Sequence, residues 1–215
     1  MDALLPKLKE YVKRTAQQHN HKGIDLFCLA ILHASLFPDD PVTGSFIRKI
    51  RKFHREEQVI RNGYSGFLVT LSLLYLRDHA GAWRILKSNG NGRNETDKPC
   101  PVVAAEQILA SLKSGKKGGM AEPVMSFYRA NGGFTALTNA PSTDLLSTAV
   151  ALFALHFTGC DLRLIRPDCF IFIDGLYRNG GFRANTLDNE IDVEYTFYGL
   201  LALGALNDGA NPVDF

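Results

Sequence analysis

The sequence is poor in several features that mark large classes of protein. Cysteine is scarce. Cys28, Cys100, Cys160 and Cys169 are the only 4 in 215 residues, and no two form a C-x-x-C pair. That excludes a disulfide scaffold and supplies no zinc-ribbon spacing, so the cysteines read as reduced, mostly buried thiols. A surplus of one charge is also missing. Lys and Arg number 24 against 22 acidic residues, a net charge of +2. This is too little for a polybasic nucleic-acid binder, and nucleic acid is not an expected partner. No run reaches the roughly 18 uninterrupted apolar residues of a membrane span. The longest, Leu145–Phe157, is broken by Ser147, Thr148 and His156. Met1–Glu10 has no apolar stretch of the secretory kind, so a cytoplasmic protein is expected. Alternation of the strand type is missing along the whole chain.

What is present points to helices. Apolar residues make up 46% and charged residues 21%, an ordinary globular composition. A chain this long buries roughly 70% of its unfolded surface, and one domain over 1–215 is expected. Two kinds of segment alternate. Leu4–Gln18 and Thr43–Gln58 are amphipathic at helical spacing, with Leu8, Tyr11 and Val12, then Phe46, Ile47 and Ile50, on one face. Asp25–Phe37, Tyr64–Leu76, Val102–Leu112, Asp144–Phe157 and Asp192–Leu206 are apolar on every side, so they must be buried on every side. Their starts recur every 40–48 residues or so, the period of a helical-hairpin repeat.

The last two units make the repeat explicit. Asn131-Gly132-Gly133-Phe134 returns 48 positions later as Asn179-Gly180-Gly181-Phe182. In the same register Ala136 matches Ala184, Asp144 matches Asp192, Thr148 matches Thr196 and Leu152 matches Leu200. The Gly-Gly pair reads as the positive-φ cap of an amphipathic helix, with the Phe tucked beneath. The Asp reads as the N-cap of the next helix. With outer and inner helices alternating, the inner helices run parallel and their N-termini share one rim. The expected fold is all-α, an α/α toroid of about five helical hairpins with parallel inner helices ringed by amphipathic outer ones.

A GGF loop followed by D-x-x-x-T-x-x-x-L-x-A-L resembles the repeat of protein prenyltransferase β subunits and of squalene and terpene cyclases. Asn179–Leu206, with its Tyr195-Thr196-Phe197 step, is the most similar stretch, and Pro141–Leu155 is similar to the cyclase inner helix that carries the acidic motif. The resemblance implies a toroid with an apolar central cavity that binds or processes an isoprenoid or prenyl diphosphate. The alternative is a non-catalytic toroid subunit or binding module. Six hairpins usually close such a ring, so about five imply a short ring, an open ring, or one completed by a homo-oligomer or a partner subunit.

The resemblance also places candidate residues. In the prenyltransferases, D-x-C at an inner-helix start holds zinc. Asp192-Val193-Glu194 stands there, with Glu194 in place of the thiolate that zinc favours. No metal ligands are assigned, zinc is not expected, and the cofactor is left open, a divalent metal included. In the cyclases D-x-D-D supplies the initiating proton, and here Asp144 alone remains. Asp192, Asp144 and Glu194 are therefore the candidate acids; the structural role open to Asp144 and Asp192 is a helix N-cap, and that open to Glu194 is a first-turn acid favoured by the helix dipole. Arg183, Tyr195 and Tyr198 are the candidate ligand-binding residues, with Arg129, Arg178, Lys116 and Lys117 as helpers. Phe153, Phe157 and Phe197 line the cavity or form plain core. Separately, Arg48, Lys49, Arg51, Lys52 and Arg55 form a basic stripe within eight residues. It reads as a solvated outer face or as a contact for anionic lipid or nucleic acid.

Overall fold

A computed structural model describes residues 4–17, 21, 23–57, 63–88, 97–116, 118, 120–130 and 132–207. Asn131, Lys117 and the side chain of Arg55, all named above, lie outside the described residues. Within them the protein is mostly helical. The elements run α1 (Leu4–Ala16), α2 (Gly23–Leu36), α3 (Thr43–Glu57), α4 (Gly63–Tyr75), α5 (His79–Ser88), α6 (Cys100–Ser114), α7 (Ala121–Met125), β1 (Tyr128–Arg129), β2 (Gly133–Thr135), β3 (Thr143–Asp144), α8 (Leu145–Phe157), α9 (Arg166–Leu176), β4 (Tyr177–Arg178), β5 (Gly181–Phe182) and α10 (Val193–Leu206). Each of the five all-apolar segments is a helix within three residues of its expected ends, and each amphipathic segment is one too.

The even-numbered helices form the core. Buried apolar residues from Val12 to Leu206 make one contiguous cluster. Nine residues of α2 and eleven of α8 are buried, as an all-round apolar helix requires. Their packing is cyclic: α2 against α4, α4 against α6, α6 against α8, α8 against α10, and α10 back against α2. The odd-numbered helices attach to this set, α1 and α3 on α2, α5 on α4 and α6, α7 on α6 and α8, and α9 on α10. Helices α5 and α9 escaped the sequence reading: α5 is only ten residues long, though Ala82, Ile85 and Leu86 share one buried face, and α9 mixes buried Cys169, Ile173 and Leu176 with exposed apolar residues. Helix α9 leaves Phe170 and Ile171 half to two-thirds exposed, at 50% and 70%.

The Gly-Gly-Phe segments correct two expectations. Short strands do exist, and the glycines sit in hairpin turns rather than in helix caps. β1 pairs with β2 and β4 with β5, both antiparallel. Between Arg178 and Gly181, Asn179 and Gly180 have φ of 44° and 101°, the two consecutive positive angles that a tight two-residue hairpin turn demands. The Asn-Gly signal is thus a hairpin signal, and strands two residues long are too short to show alternation. The Phe does tuck beneath, as expected: Phe134 and Phe182 are buried.

Candidate functional site

The two copies of the repeat agree atom for atom. Phe134 pairs with Asp144, and Phe182 bridges to Asp192. The backbone N–H of Phe134 donates to Thr148 Oγ1 at 2.9 Å, and that of Phe182 to Thr196 Oγ1 at 3.3 Å. Each threonine hydroxyl donates in turn to the carbonyl of its Asp, at 2.7 and 2.6 Å. The Asp side chains cap the helices, with Ser147 N–H donating to Asp144 at 2.8 Å and Tyr195 N–H to Asp192 at 2.7 Å. One further bond links neighbouring units. The Ala136 carbonyl accepts the Cys100 N–H at the start of α6, and the Ala184 carbonyl accepts the Leu145 N–H at the start of α8, at 2.8 and 2.9 Å. Each loop thereby satisfies an orphan donor in the first turn of the preceding even helix.

The candidate acids lie where the even helices begin. The charge of Asp25 in α2 acts on Asp192 and Glu194 at α10, and that of Asp192 on Glu194; Glu194 and Asp144, beside α8, both act on Tyr64 in α4, and Asp144 acts on Cys100 in α6. So the first turns of all five even helices are within electrostatic reach. Of the three candidate acids Glu194 is shifted furthest. Burial, followed by the charges of Asp192 and Asp25, pushes its carboxyl up to about 7. Asp144 and Asp192 are also raised, in each case chiefly by burial, with the capping N–H bonds opposing the shift. Tyr195 is pushed up to about 12 by burial and then by Glu194. Among the described residues no group of three or more His, Cys, Asp or Glu side chains is arranged to hold a metal ion.

Tyr198 is fully buried, and its hydroxyl hydrogen-bonds that of Tyr64. Its ring also stands edge-on to Tyr195 at 6.3 Å. Tyr64 lies on α4 and Tyr198 on α10, which are not successive members of the cycle. The same holds for Phe67 on α4 and Phe153 on α8, whose rings are 6.1 Å apart. Phe153 continues to Phe157 at 6.0 Å. These contacts cross the middle of the helix set, and Phe153, Phe157 and Phe197 are all buried within it.

The cations expected at this end are engaged elsewhere. Arg183 donates to the carbonyls of Thr186, Asp188 and Gly175 at 3.2–3.4 Å. Arg129 donates to the carbonyls of Ser126, Tyr128 and Thr138, and Arg178 to that of Tyr177. Their guanidinium groups brace the hairpin loops through these carbonyls. The sequence reading missed Tyr64, Asp25 and Cys28 as members of this end. All three are at or near the starts of all-apolar segments, which is the signal that would have found them. No protein family, curated protein or solved structure matches this chain. No described helix is long and apolar enough to cross a membrane.

Proposed function

We propose that the chain is an α/α toroid of the prenyltransferase and terpenoid-cyclase type, with the even helices inside and the odd helices outside, and that it handles an isoprenoid ligand. The observation that carries this reading is the cyclic packing in which α10 returns to α2, built from repeats that share the same hairpin, threonine and Asp-cap bonds. The ligand would meet the protein at the end where the even helices begin. There the Glu194 carboxyl, raised to about 7, is partly protonated at neutral pH beside Tyr195, and the buried Tyr198 hydroxyl lies one turn further in. A carboxyl raised toward neutral pH by burial is suited to acid–base work. Asp144 and Asp192 hold the helix ends that frame it, and Arg183 fixes the loop. With carboxylates dominant and the arginines engaged, an uncharged isoprenoid suits this end better than a diphosphate. Mass spectrometry of organic extracts, with thermal shifts by farnesol and farnesyl diphosphate, tests the proposal. An extracted prenyl lipid and stabilisation by farnesol are expected. Absence of both sinks it.

A second reading, a non-catalytic binding module, is favoured by the aromatic contacts that cross the interior. In either reading the return of α10 to α2 favours a ring completed within one chain. The solution mass decides this point, with a monomer expected. An obligate complex whose separated chain unfolds would restore the partner-completed ring.

A further inference from the structure

His33 is the one buried histidine among the described residues, 2% exposed in the last turn of α2. Its ring packs against those of Phe37 and Phe46, at 5.2 and 5.4 Å. Nδ1 is buried with no hydrogen-bond partner among the described residues, and Nε2 stands 3.7 Å from Asp40 Oδ2. A neutral imidazole can turn its one N–H toward Asp40 and leave only a bare acceptor in this apolar slot. An imidazolium puts a second N–H there with nothing to accept it, which burial makes costly. The same Asp40 builds the start of α3. Its Oδ1 accepts the Val42 N–H at 2.9 Å, and its carbonyl accepts the Thr43 N–H at 3.1 Å. The Val42 carbonyl in turn accepts the N–H groups of Ser45 and Phe46, at 2.9 and 3.3 Å. Pro38 and Pro41 bracket the turn, and their fixed φ leaves it few other shapes. One buried imidazole is thus linked to the first turn of α3 through both a carboxylate and a ring.

We propose that His33 is an acid-sensitive latch on α3: neutral, it closes the corner between α2 and α3, and protonated, it releases the first turns of α3 from the core. The charges around it allow this. Of the elements packed on α2, α1 brings Lys9, whose ammonium lies 5.9 Å over the Phe37 ring, and α3 brings Arg48 and Lys49, both exposed. α4 brings Tyr75, whose hydroxyl is raised by burial alone. The ionisable residues of α10, Glu194, Tyr195 and Tyr198, lie in its first two turns, at the end where the even helices begin. Asp39 is exposed in the turn. Of these groups and Asp40, Asp40 is the one whose charge acts on His33, and burial outweighs it, so the imidazole holds its proton less readily than usual. An open corner takes up a proton near the ordinary value of 6.5, and the closed corner only in more acid solution. The closed state is therefore fully favoured above that value and loses its advantage as pH falls below it. Opening bares the underside of α3, Phe46 and Ile50, and unseats Phe53 from Phe27, 5.4 Å away on α2. The latch stands independently of the isoprenoid reading, which concerns the other end of the core.

Hydrogen exchange read by mass spectrometry on the full chain tests the latch, with rates corrected for the intrinsic effect of pH. Between about pH 8 and about pH 5.5 the amides of the α3 start, Val42 to Ile50, should exchange several-fold faster, by up to about tenfold for each pH unit below the ordinary histidine value. The amides of α8 should not follow. Glu194 also titrates in this range, but its raised carboxyl favours the fold toward acid, the opposite sign. H33Q cannot titrate and should remove the acid response of α3. D40N keeps an acceptor for the Val42 N–H and removes the charge, so it should enlarge that response and carry it to lower pH. The ring ¹⁵N resonances of His33, identified by their loss in H33Q or their displacement in D40N, should titrate below 6.5. That titration and D40N decide the point even where H33Q does not fold. An acid response of α3 that persists unchanged in H33Q, or a His33 titration at or above 6.5, overturns the proposal. So does an equal response in α8, which marks acid unfolding of the whole domain.

Discussion

Thr196 stands between Phe182 and its own helix, accepting the Phe182 N–H at 3.3 Å while donating to the Asp192 carbonyl at 2.6 Å. Thr148 does the same for Phe134. One hydroxyl thus joins each hairpin to the first turn of the next helix. Both threonines are fully buried, so removing the hydroxyl strands a backbone N–H away from water. Thr148→Val and Thr196→Val should each cost about 1–3 kcal/mol. Thr→Ser at the same positions should cost less, because the bond survives. Urea denaturation of the four variants checks this. Equal losses for Val and Ser would assign the effect to packing.

Gly199 is required by Phe182. A Cβ on Gly199 would land inside the contact distance of the Phe182 ring, which is buried beneath the hairpin. Gly199→Ala should destabilise by about 1–3 kcal/mol, the usual cost of overpacking. The double variant Gly199→Ala/Phe182→Leu should lose less than the sum of the singles, because the smaller side chain makes room. Strict additivity would show that the two positions do not press on each other.

Glu194 makes stability depend on pH in a defined direction. Its carboxyl stands at about 7 in the fold against 4.5 when unperturbed. A raised acid favours the folded state fully below the unfolded value, and that contribution is lost as pH rises through the folded value. Glu194→Gln cannot ionise. Its stability relative to the parent should therefore grow between about pH 4.5 and 7 and level off above, by about 1–2 kcal/mol after discounting for solvent screening. Melting temperatures from pH 4.5 to 8.5 supply the comparison. A difference that stays flat across this range contradicts the assignment.

The Tyr64–Tyr198 hydrogen bond crosses the helix set, so it should couple distant elements. Tyr198→Phe leaves the Tyr64 hydroxyl without this partner and should cost about 1–2 kcal/mol, whereas Tyr64→Phe/Tyr198→Phe should recover part of that loss. A double-mutant cycle by denaturant unfolding gives the coupling. A coupling of zero would place the two hydroxyls apart in solution.

The sequence alone determined the elements whose chemistry is local. A segment apolar on all sides has nowhere stable to go but the core, so α2, α4, α6, α8 and α10 were legible from residue type. Asp144 and Asp192 were legible as caps because an Asp before an apolar helix supplies an acceptor to an orphan N–H within three residues. The repeat that pairs Phe134 with Phe182 and Thr148 with Thr196 was legible as identities in one register. Tertiary structure decided what depends on partners far along the chain. Asn179-Gly180 became a hairpin turn because Phe182 could pair with Tyr177 and reach Thr196. Arg183 became a loop brace because folding brought the carbonyls of Gly175 and Asp188 within reach. The Glu194 carboxyl is raised chiefly because the fold buries it, and then by Asp192 and by Asp25, which α2 delivers to the end of α10 from about 170 positions away. Desolvation and charge act through space, and no spacing along the chain records them.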